Sequence, residues 1–280
     1  MDTVAIVGVG LIGGSFGLAL RKAGFGGRII GVSSEATVQA ALAVGAIDQA
    51  AALPDAASRA DLIYLAQPIG RILDTLHHLD PHLRPGALVT DVGSTKEMIV
   101  AQAANSIRRA QFLGGHPMAG KERRGVGEAD ADLFAGRTYI LTPAEPHELD
   151  TPPAQEFREW LRRIGAKPFV LDAGAHDRIV SYTSHLAQLS STALGATVAE
   201  HVAEDELAIS GPGLHDSTRL ALSSYDLWRD ILATNTAAID RALSDYIQKL
   251  EFIRQNLRTR ELQQEFARAG KLAGRLRGAE

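Results

Sequence analysis

Short apolar runs alternate with longer amphipathic stretches through the first part of the chain, and then the short runs stop. Val4-Ala5-Ile6-Val7 is apolar at every position, as in a strand buried on both faces of a sheet. Residues 11–23 follow as a helix, and Arg28-Ile29-Ile30-Gly31-Val32 reads as a second strand. A third strand is predicted over residues 62–66, halted by Gln67-Pro68, and a fourth over 87–92, followed by a Gly-Ser turn and a helix. Later strands are predicted at 139–142 and 168–171, with the proline-rich, acidic stretch 143–153 as a surface loop between them. Strands alternating with helices predict a parallel, doubly wound sheet. Beyond about residue 175 the period changes. Ile179, Tyr182, Leu186, Leu189, Ala193 and Leu194 recur at helical spacing, and Ile239, Leu243, Ile247, Leu250, Ile253 and Leu257 repeat the pattern. The division predicted is an α/β domain over residues 1–174 and an all-α domain over 175–280.

The first turn carries the strongest chemical signal. Gly8-Val9-Gly10-Leu11-Ile12-Gly13 directly follows the first strand and opens a helix, which is the context that makes this glycine pattern a Rossmann-type dinucleotide-binding fingerprint. Gly8 permits the tight turn, Gly10 the approach of a pyrophosphate, and Gly13 close packing of helix on strand. The phosphates would rest on the N–H groups at the helix start, near Leu11 and Ile12. Gln67 and Pro68, at the end of the third predicted strand, are expected along the same cofactor cleft. Where such a fold usually ends its second strand with an acid for the ribose hydroxyl, this chain has Ser33-Ser34, with Glu35 behind them. Two hydroxyls without a repelling carboxylate favour NADP over NAD, though no arginine follows them.

Composition narrows the rest. The 280 residues are 45% hydrophobic and 22% charged, a folded and not a disordered chain. Twenty-nine basic against 33 acidic residues give a formal net charge of −4, which is mild and of the wrong sign for a general nucleic-acid binder. The absence of cysteine excludes disulfides, thiolate-bound zinc and thiol nucleophiles. No basic leader precedes the first strand, and the apolar run beginning at Val4 is short and broken by glycines, so neither export nor a membrane span is expected and a cytoplasmic location is. His77, His78 and His82 have poor ligand spacing, so no metal is expected.

Two further segments carry candidate chemistry. Residues 91–97 (DVGSTKE) follow a strand, where loops of an open sheet line the ligand crevice. Ser94 and Glu97 also form the pattern of a capping box for the next helix. Residues 114–120 (GGHPMAG) read as a glycine-rich loop that leaves His116 accessible. A histidine there can accept a hydroxyl proton near neutral pH.

Residues 8–15 (GVGLIGGS), 91–96 (DVGSTK), 114–120 (GGHPMAG), Ser184-His185-Leu186, 216–219 (DSTR) and Trp228-Arg229-Asp230-Ile231 occur in this order. Together they resemble the TyrA family, the prephenate and arogenate dehydrogenases of tyrosine biosynthesis, over nearly the whole chain. The resemblance implies oxidative decarboxylation of a cyclohexadienol acid, with hydride passing to NADP or NAD. It implies that His116 deprotonates the substrate 4-hydroxyl and that Ser94 bonds His116 or that hydroxyl. It further implies that Arg219 holds a substrate carboxylate, as suits a guanidinium fork. Glu122 matches an acidic residue that can pair with such an arginine, and His185 and Gln188 fall in the substrate region. Many prephenate-using members read Ser-His-Leu-Pro-His where this chain reads Ser184-His185-Leu186-Ala187-Gln188. Cyanobacterial arogenate enzymes of the family also lack that second histidine and have an end to the second strand similar to Gly31-Val32-Ser33. Both features point toward arogenate and NADP.

The long amphipathic helices of the second half cannot bury their apolar faces alone, which predicts a homodimer through that half. The expected ligand is a small molecule, with neither nucleic acid nor membrane as partner. The residues beyond about 270 are too few for a regulatory domain, and those before the first strand too few for a mutase. Two rival readings are another two-domain dehydrogenase of the β-hydroxyacid type and a dinucleotide-sensing regulator without turnover.

Overall fold

The computed structural model of the chain describes residues 1–121 and 123–278. The α/β half runs β1 (Thr3–Val7), α1 (Leu11–Lys22), β2 (Arg28–Val32), α2 (Glu35–Ala43), the two-residue β3 (Gln49–Ala50) and α3 (Leu53–Arg59). It continues with β4 (Leu62–Leu65), α4 (Ile69–Leu79), β5 (Leu88–Asp91), α5 (Glu97–Ser106), β6 (Gln111–Pro117), β7 (Thr138–Thr142), α6 (Pro152–Arg163) and β8 (Lys167–Val170). These strands form one sheet in the order β3-β2-β1-β4-β5-β6-β7-β8.

Each central strand is buried on both sides because its alternate residues feed two different cores. Val4, Ile6, Leu62, Tyr64 and Leu88 meet Phe16 and Leu20 of α1 and Phe157 and Leu161 of α6. Ala5, Val7, Ile63, Leu65 and Val89 meet Ala56 and Ala57 of α3, Ile72 and Leu76 of α4 and Ile99 of α5. This two-sided burial is what the uniformly apolar strand sequences predicted. On the first face the Phe16 ring stacks on Tyr64 at 3.9 Å, and the Tyr139 hydroxyl donates to that of Tyr64 at 3.2 Å.

The sheet is not wholly parallel, contrary to the expectation from sequence. β7 runs antiparallel to β6. Parallel neighbours need a crossover, usually a helix, but among its described residues the connection between β6 and β7 holds no α-helix, only a short 3-10 turn at Val126–Glu128. It passes over the start of α1, where the Asp130 N–H donates to Ser15 Oγ at 2.9 Å, and returns alongside the strand it left. The glycine-rich segment 114–120 is likewise no simple loop, since Gly114 to Pro117 lie within β6. A Cβ on Gly114 would stand 2.2 Å from Thr142 Oγ1, and one on Gly115 2.6 Å from the Asp91 carbonyl oxygen. These two glycines are required by neighbouring strands, not by a ligand.

The second half comprises α7 (Ala173–Val180), a π-turn at Ser181–His185, α8 (Leu186–His201), α9 (Pro212–Thr218), a 3-10 turn at Arg219–Leu222, α10 (Tyr225–Thr234), α11 (Thr236–Gln255) and α12 (Leu262–Leu276). Ile231 and Trp228 of α10 pack into the α4/α5 core of the sheet, which joins the two halves. Large apolar side chains nevertheless stay exposed on this half, among them Ile209 (91%), Leu222 (84%) and Leu276 (77%). Among the described residues no helix is long and apolar enough to cross a membrane.

Candidate active site

The C-terminal ends of β1, β4, β5 and β6 share one edge of the sheet, and the candidate residues gather there. At the β1 end, Gly8 has φ +93°, and a Cβ would lie 2.5 Å from the Ala66 carbonyl oxygen, so no other residue makes this turn without strain. The turn delivers the chain to Gly10, which precedes α1 without any side-chain cap. The first N–H groups of α1, including those of Leu11 and Ile12, therefore have neither a carbonyl of their own helix nor a cap to bond. Gly13 is buried, and a Cβ there would stand 2.2 Å from the Gly8 carbonyl oxygen and 2.9 Å from Ile6, as predicted for close helix–strand packing.

Two neighbouring helix starts on the same edge are already satisfied by carboxylates from the second half. Asp230 Oδ2 accepts the Gly70 N–H of α4 at 3.0 Å. Asp177 accepts the backbone N–H of Lys96 on Oδ1 at 2.7 Å and that of Glu97 on Oδ2 at 3.0 Å, at the start of α5. The capping box expected from Ser94 and Glu97 is thus not formed; α5 begins two residues later than that pattern supposes, and its cap comes from a residue 80 positions away in sequence. Of these three starts, that of α1 remains for an external anion, where the helix dipole favours one.

Beside it lies a cleft of about 780 Å³ lined by Gly8, Gly10, Ser33, Ser34, Gln67 and Pro68, with Thr37 and Arg71. Six predicted cofactor residues thus share one cavity. Leu11 and Ile12 do not line it; their side chains pack on the core, leaving their N–H groups as the part that faces the turn. Arg71 was missed because it comes from α4, not from the segment after β2. Gly125 and Val126 of the β6–β7 connection also line the cleft.

At the β5 end, Asp91 and Lys96 are both fully buried and paired with each other. Lys96 Nζ also donates to the Gly115 carbonyl at 2.7 Å, while Asp91 accepts the N–H of Gly93 at 2.7 Å and of Gly115 at 3.1 Å. Burial pushes the Lys96 ammonium below its usual range, against the pull of Asp91. Most of the DVGSTK segment therefore clamps β5 to β6; Ser94 is half-buried beside it.

That clamp holds the strand carrying His116. The His116 ring is partly buried, and Nδ1 lies 2.8 Å from His176 Nε2. His176, fully buried on α7, has its own Nδ1 2.7 Å from Asp177 Oδ1. Among the described residues nothing is hydrogen-bonded to His116 Nε2, and the Ser94–His116 bond that was one expectation is not made; His176 takes that place. Burial holds His116 well below the usual histidine range, helped by His176, Lys96 and His185. At neutral pH its ring is in the neutral form, able to accept a proton.

His185 ends the π-turn and is 1% exposed. Its Nδ1 lies 3.3 Å from Asn235 Nδ2, and its ring meets Trp228 edge-on at 5.7 Å. Burial lowers it to about 4, opposed by Asp177. Gln188, one turn on, is buried with Nε2 donating to the Leu220 carbonyl at 2.8 Å. This bond seats the 3-10 turn that begins with Arg219 against α8; Arg219 itself is on the surface of the chain. Glu122 lies outside the described residues. No group of three or more His, Asp and Glu side chains suited to a metal ion occurs among the described residues.

The family model for the nucleotide-binding domain of prephenate dehydrogenase matches residues 16–170, and that for its dimerization domain matches residues 172–271. The chain belongs to the TyrA family of prephenate and arogenate dehydrogenases. The prephenate dehydrogenase of Lactococcus lactis subsp. cremoris is 33% identical over an alignment 279 residues long that covers 97% of this chain and 76% of that protein. Among solved TyrA structures, a prephenate dehydrogenase from A. aeolicus in complex with hydroxyphenyl propionate and NAD+ superposes with a TM-score of 0.88 at 29% identity, covering 99% of this chain and 97% of that one. The Synechocystis arogenate dehydrogenase gives 0.79 at 30% identity, covering 99% and 98%. The architecture of this TyrA chain, a nucleotide-binding α/β half followed by a helical half, is the family's. Sequence reasoning overlooked His176, Asp177, Asn235 and Arg71 at this site; adjacent His and Asp just after the last strand was the one available signal.

Proposed function

We propose that the protein is a dehydrogenase of tyrosine biosynthesis that oxidatively decarboxylates a cyclohexadienol acid, with arogenate favoured over prephenate and NADP over NAD. The observation that carries this reading is an imidazole whose Nδ1 is held by a buried histidine while no described residue bonds Nε2, on the same sheet edge as a dinucleotide cleft. Three strand spacings separate β1 from β6, about 14 Å along the edge. The start of α1 would hold the pyrophosphate of a dinucleotide, and the same edge leads from there to His116. The cleft fits such a cofactor on its own geometry: an uncapped helix start, a turn that excludes a Cβ, and a lining of hydroxyls. Ser33, Ser34 and Thr37 with the Arg71 guanidinium are suited to a 2′-phosphate.

A bound nicotinamide would supply the acceptor for the hydride on the ring carbon bearing the hydroxyl. His116 accepts the hydroxyl proton at Nε2. It holds that proton while the ring carboxylate departs as CO₂, leaving its bonding pair in the ring, and then returns it to the phenolate oxygen. Ser94, at the start of the same edge, is assigned the substrate hydroxyl. Arg219 is assigned a substrate carboxylate, with Glu122 as its partner, and His185 and Gln188 are assigned to the substrate pocket. Gln188 stands where many prephenate-using members carry a histidine, which supports arogenate. The nucleotide half is taken to end near residue 174. The helical half, with its exposed apolar side chains and its match to a dimerization domain, joins two copies. Incubation with arogenate or prephenate, each with NADP+ or NAD+, tests the reading through nicotinamide absorbance. Turnover is expected in all or some arms and fastest with arogenate and NADP+; no turnover in any arm would overturn it.

A further inference from the structure

We infer that His176 and Asp177 are positioning residues that fix the tautomer and ring orientation of His116, so that the base is complete only where the two halves of the chain meet. The inference deepens the reading of His116 as proton acceptor and rests on it. A ring that accepts at Nε2 must carry its single proton on Nδ1. That N–H then donates to His176 Nε2 at 2.8 Å, so His176 presents a lone pair there. The proton of His176 is left on its Nδ1, where Asp177 Oδ1 accepts it at 2.7 Å. Asp177 is fixed in turn, because its carboxylate also accepts the N–H groups of Lys96 and Glu97 and its backbone carbonyl accepts from Asn235 Nδ2 at 2.9 Å. One proton position dictates the next along the whole row. When His116 takes the substrate proton, its Nδ1–H bond to His176 becomes charge-assisted and strengthens, and no proton moves along the row.

The placement of the row supplies a second argument. His116 belongs to β6, His176 and Asp177 to α7, and the groups that anchor Asp177 to the start of α5. A helix cap accounts for Asp177, but not for a fully buried histidine whose two nitrogens face a carboxylate on one side and the base on the other. Drawing α7 away from the sheet removes the Nδ1 partner and frees the ring to turn.

The test combines ring-nitrogen NMR on ¹⁵N-histidine-labelled protein with steady-state kinetics of three variants. In the wild type His116 should be the Nδ1–H tautomer. In Asp177→Asn the new amide can donate to His176, reversing the row, and His116 should shift toward the Nε2–H form. Asp177→Asn and His176→Ala should lose about 10²-fold or more in kcat, within the range of a misdirected general base. Both should keep dinucleotide Kd within about twofold, since neither residue reaches the cleft. His176→Gln should recover part of the loss, because its carboxamide oxygen can accept the His116 N–H. A wild-type ring protonated on Nε2, or a kcat for His176→Ala within about threefold of wild type, overturns the inference; should His176→Ala fail to fold, the wild-type tautomer and Asp177→Asn decide. The tautomer is read without turnover, so its failure is distinct from a failure of the functional reading, which would show as full activity in His116→Gln.

Discussion

Replacing Lys96 with methionine removes the ammonium from a pair in which both side chains are wholly shut off from water. Methionine preserves most of the volume, so the cost is chiefly electrostatic. Asp91 would keep the N–H groups of Gly93 and Gly115, but its charge would be left without a counter-ion, and the Gly115 carbonyl would lose its donor. Breaking a buried pair from one side costs about 3–5 kcal/mol. At about 2–4 °C per kcal/mol for a chain of this size, the melting midpoint should fall by about 6–20 °C. Neutralising the orphan in Asp91→Asn/Lys96→Met should recover at least half of that. A second readout follows from charge. Lys96 is one of the groups that hold His116 low, with His176 and His185, while burial of the ring remains in the variant. The acid limb of the kcat/KM profile should therefore move to higher pH. Differential scanning calorimetry on the two variants checks the first claim. A Lys96→Met midpoint within about 2 °C of wild type, or a double variant no more stable than the single one, would refute the reasoning.

Arg71→Ala should lower the preference for NADP+ over NAD+ in kcat/KM by about tenfold, the worth of one exposed charge-assisted contact, and an unchanged ratio would place the 2′-phosphate elsewhere. His185 is held near 4 in the folded chain, against 6.5 for a free histidine, so the unfolded chain binds the proton first as pH falls. Its contribution is complete above about pH 6.5 and is lost toward pH 4, about 2 kcal/mol between pH 7 and pH 5; urea midpoints at the two pH values should show this, and His185→Gln should reduce the difference. Light scattering at micromolar concentration should give twice the 29.9 kDa of one chain, and the mass of a single chain would contradict the dimer.

The strands were legible because two-sided burial leaves nothing but apolar residues, as in Val4 to Val7 and Leu62 to Leu65. β6 was hidden by its own packing: Gly114 and Gly115 are glycine because Thr142 and Asp91 leave no room for a side chain, and glycine in sequence reads as loop. β3 was too short to carry a period. The antiparallel return of β7 was illegible because a connection that skips its helix looks, in composition, like any long loop. At the site, the glycine turn, Ser33, Ser34, Gln67 and Pro68 could be read from local context, since all sit within a few residues of a strand end. The groups around His116 could not. Asp177 caps a helix 80 residues upstream, Asp230 another 160 upstream, and Arg71 joins Ser33 across a cleft. Such pairings depend on tertiary packing; the adjacent His176 and Asp177 after the last strand mark a candidate but do not say what they pair with. Ser94 shows the converse: a sound local pattern for a capping box was displaced by a distant carboxylate that accepts two N–H groups at once.

The most direct measurement of the central claim is His116→Gln, assayed for turnover and for dinucleotide affinity in the same preparation. Loss of a general base costs about 10²–10⁴-fold in kcat, while the cleft at α1, Ser33 and Arg71 is untouched and dinucleotide Kd should stay within about twofold. A variant that binds the cofactor and turns over at close to the wild-type rate would contradict the account.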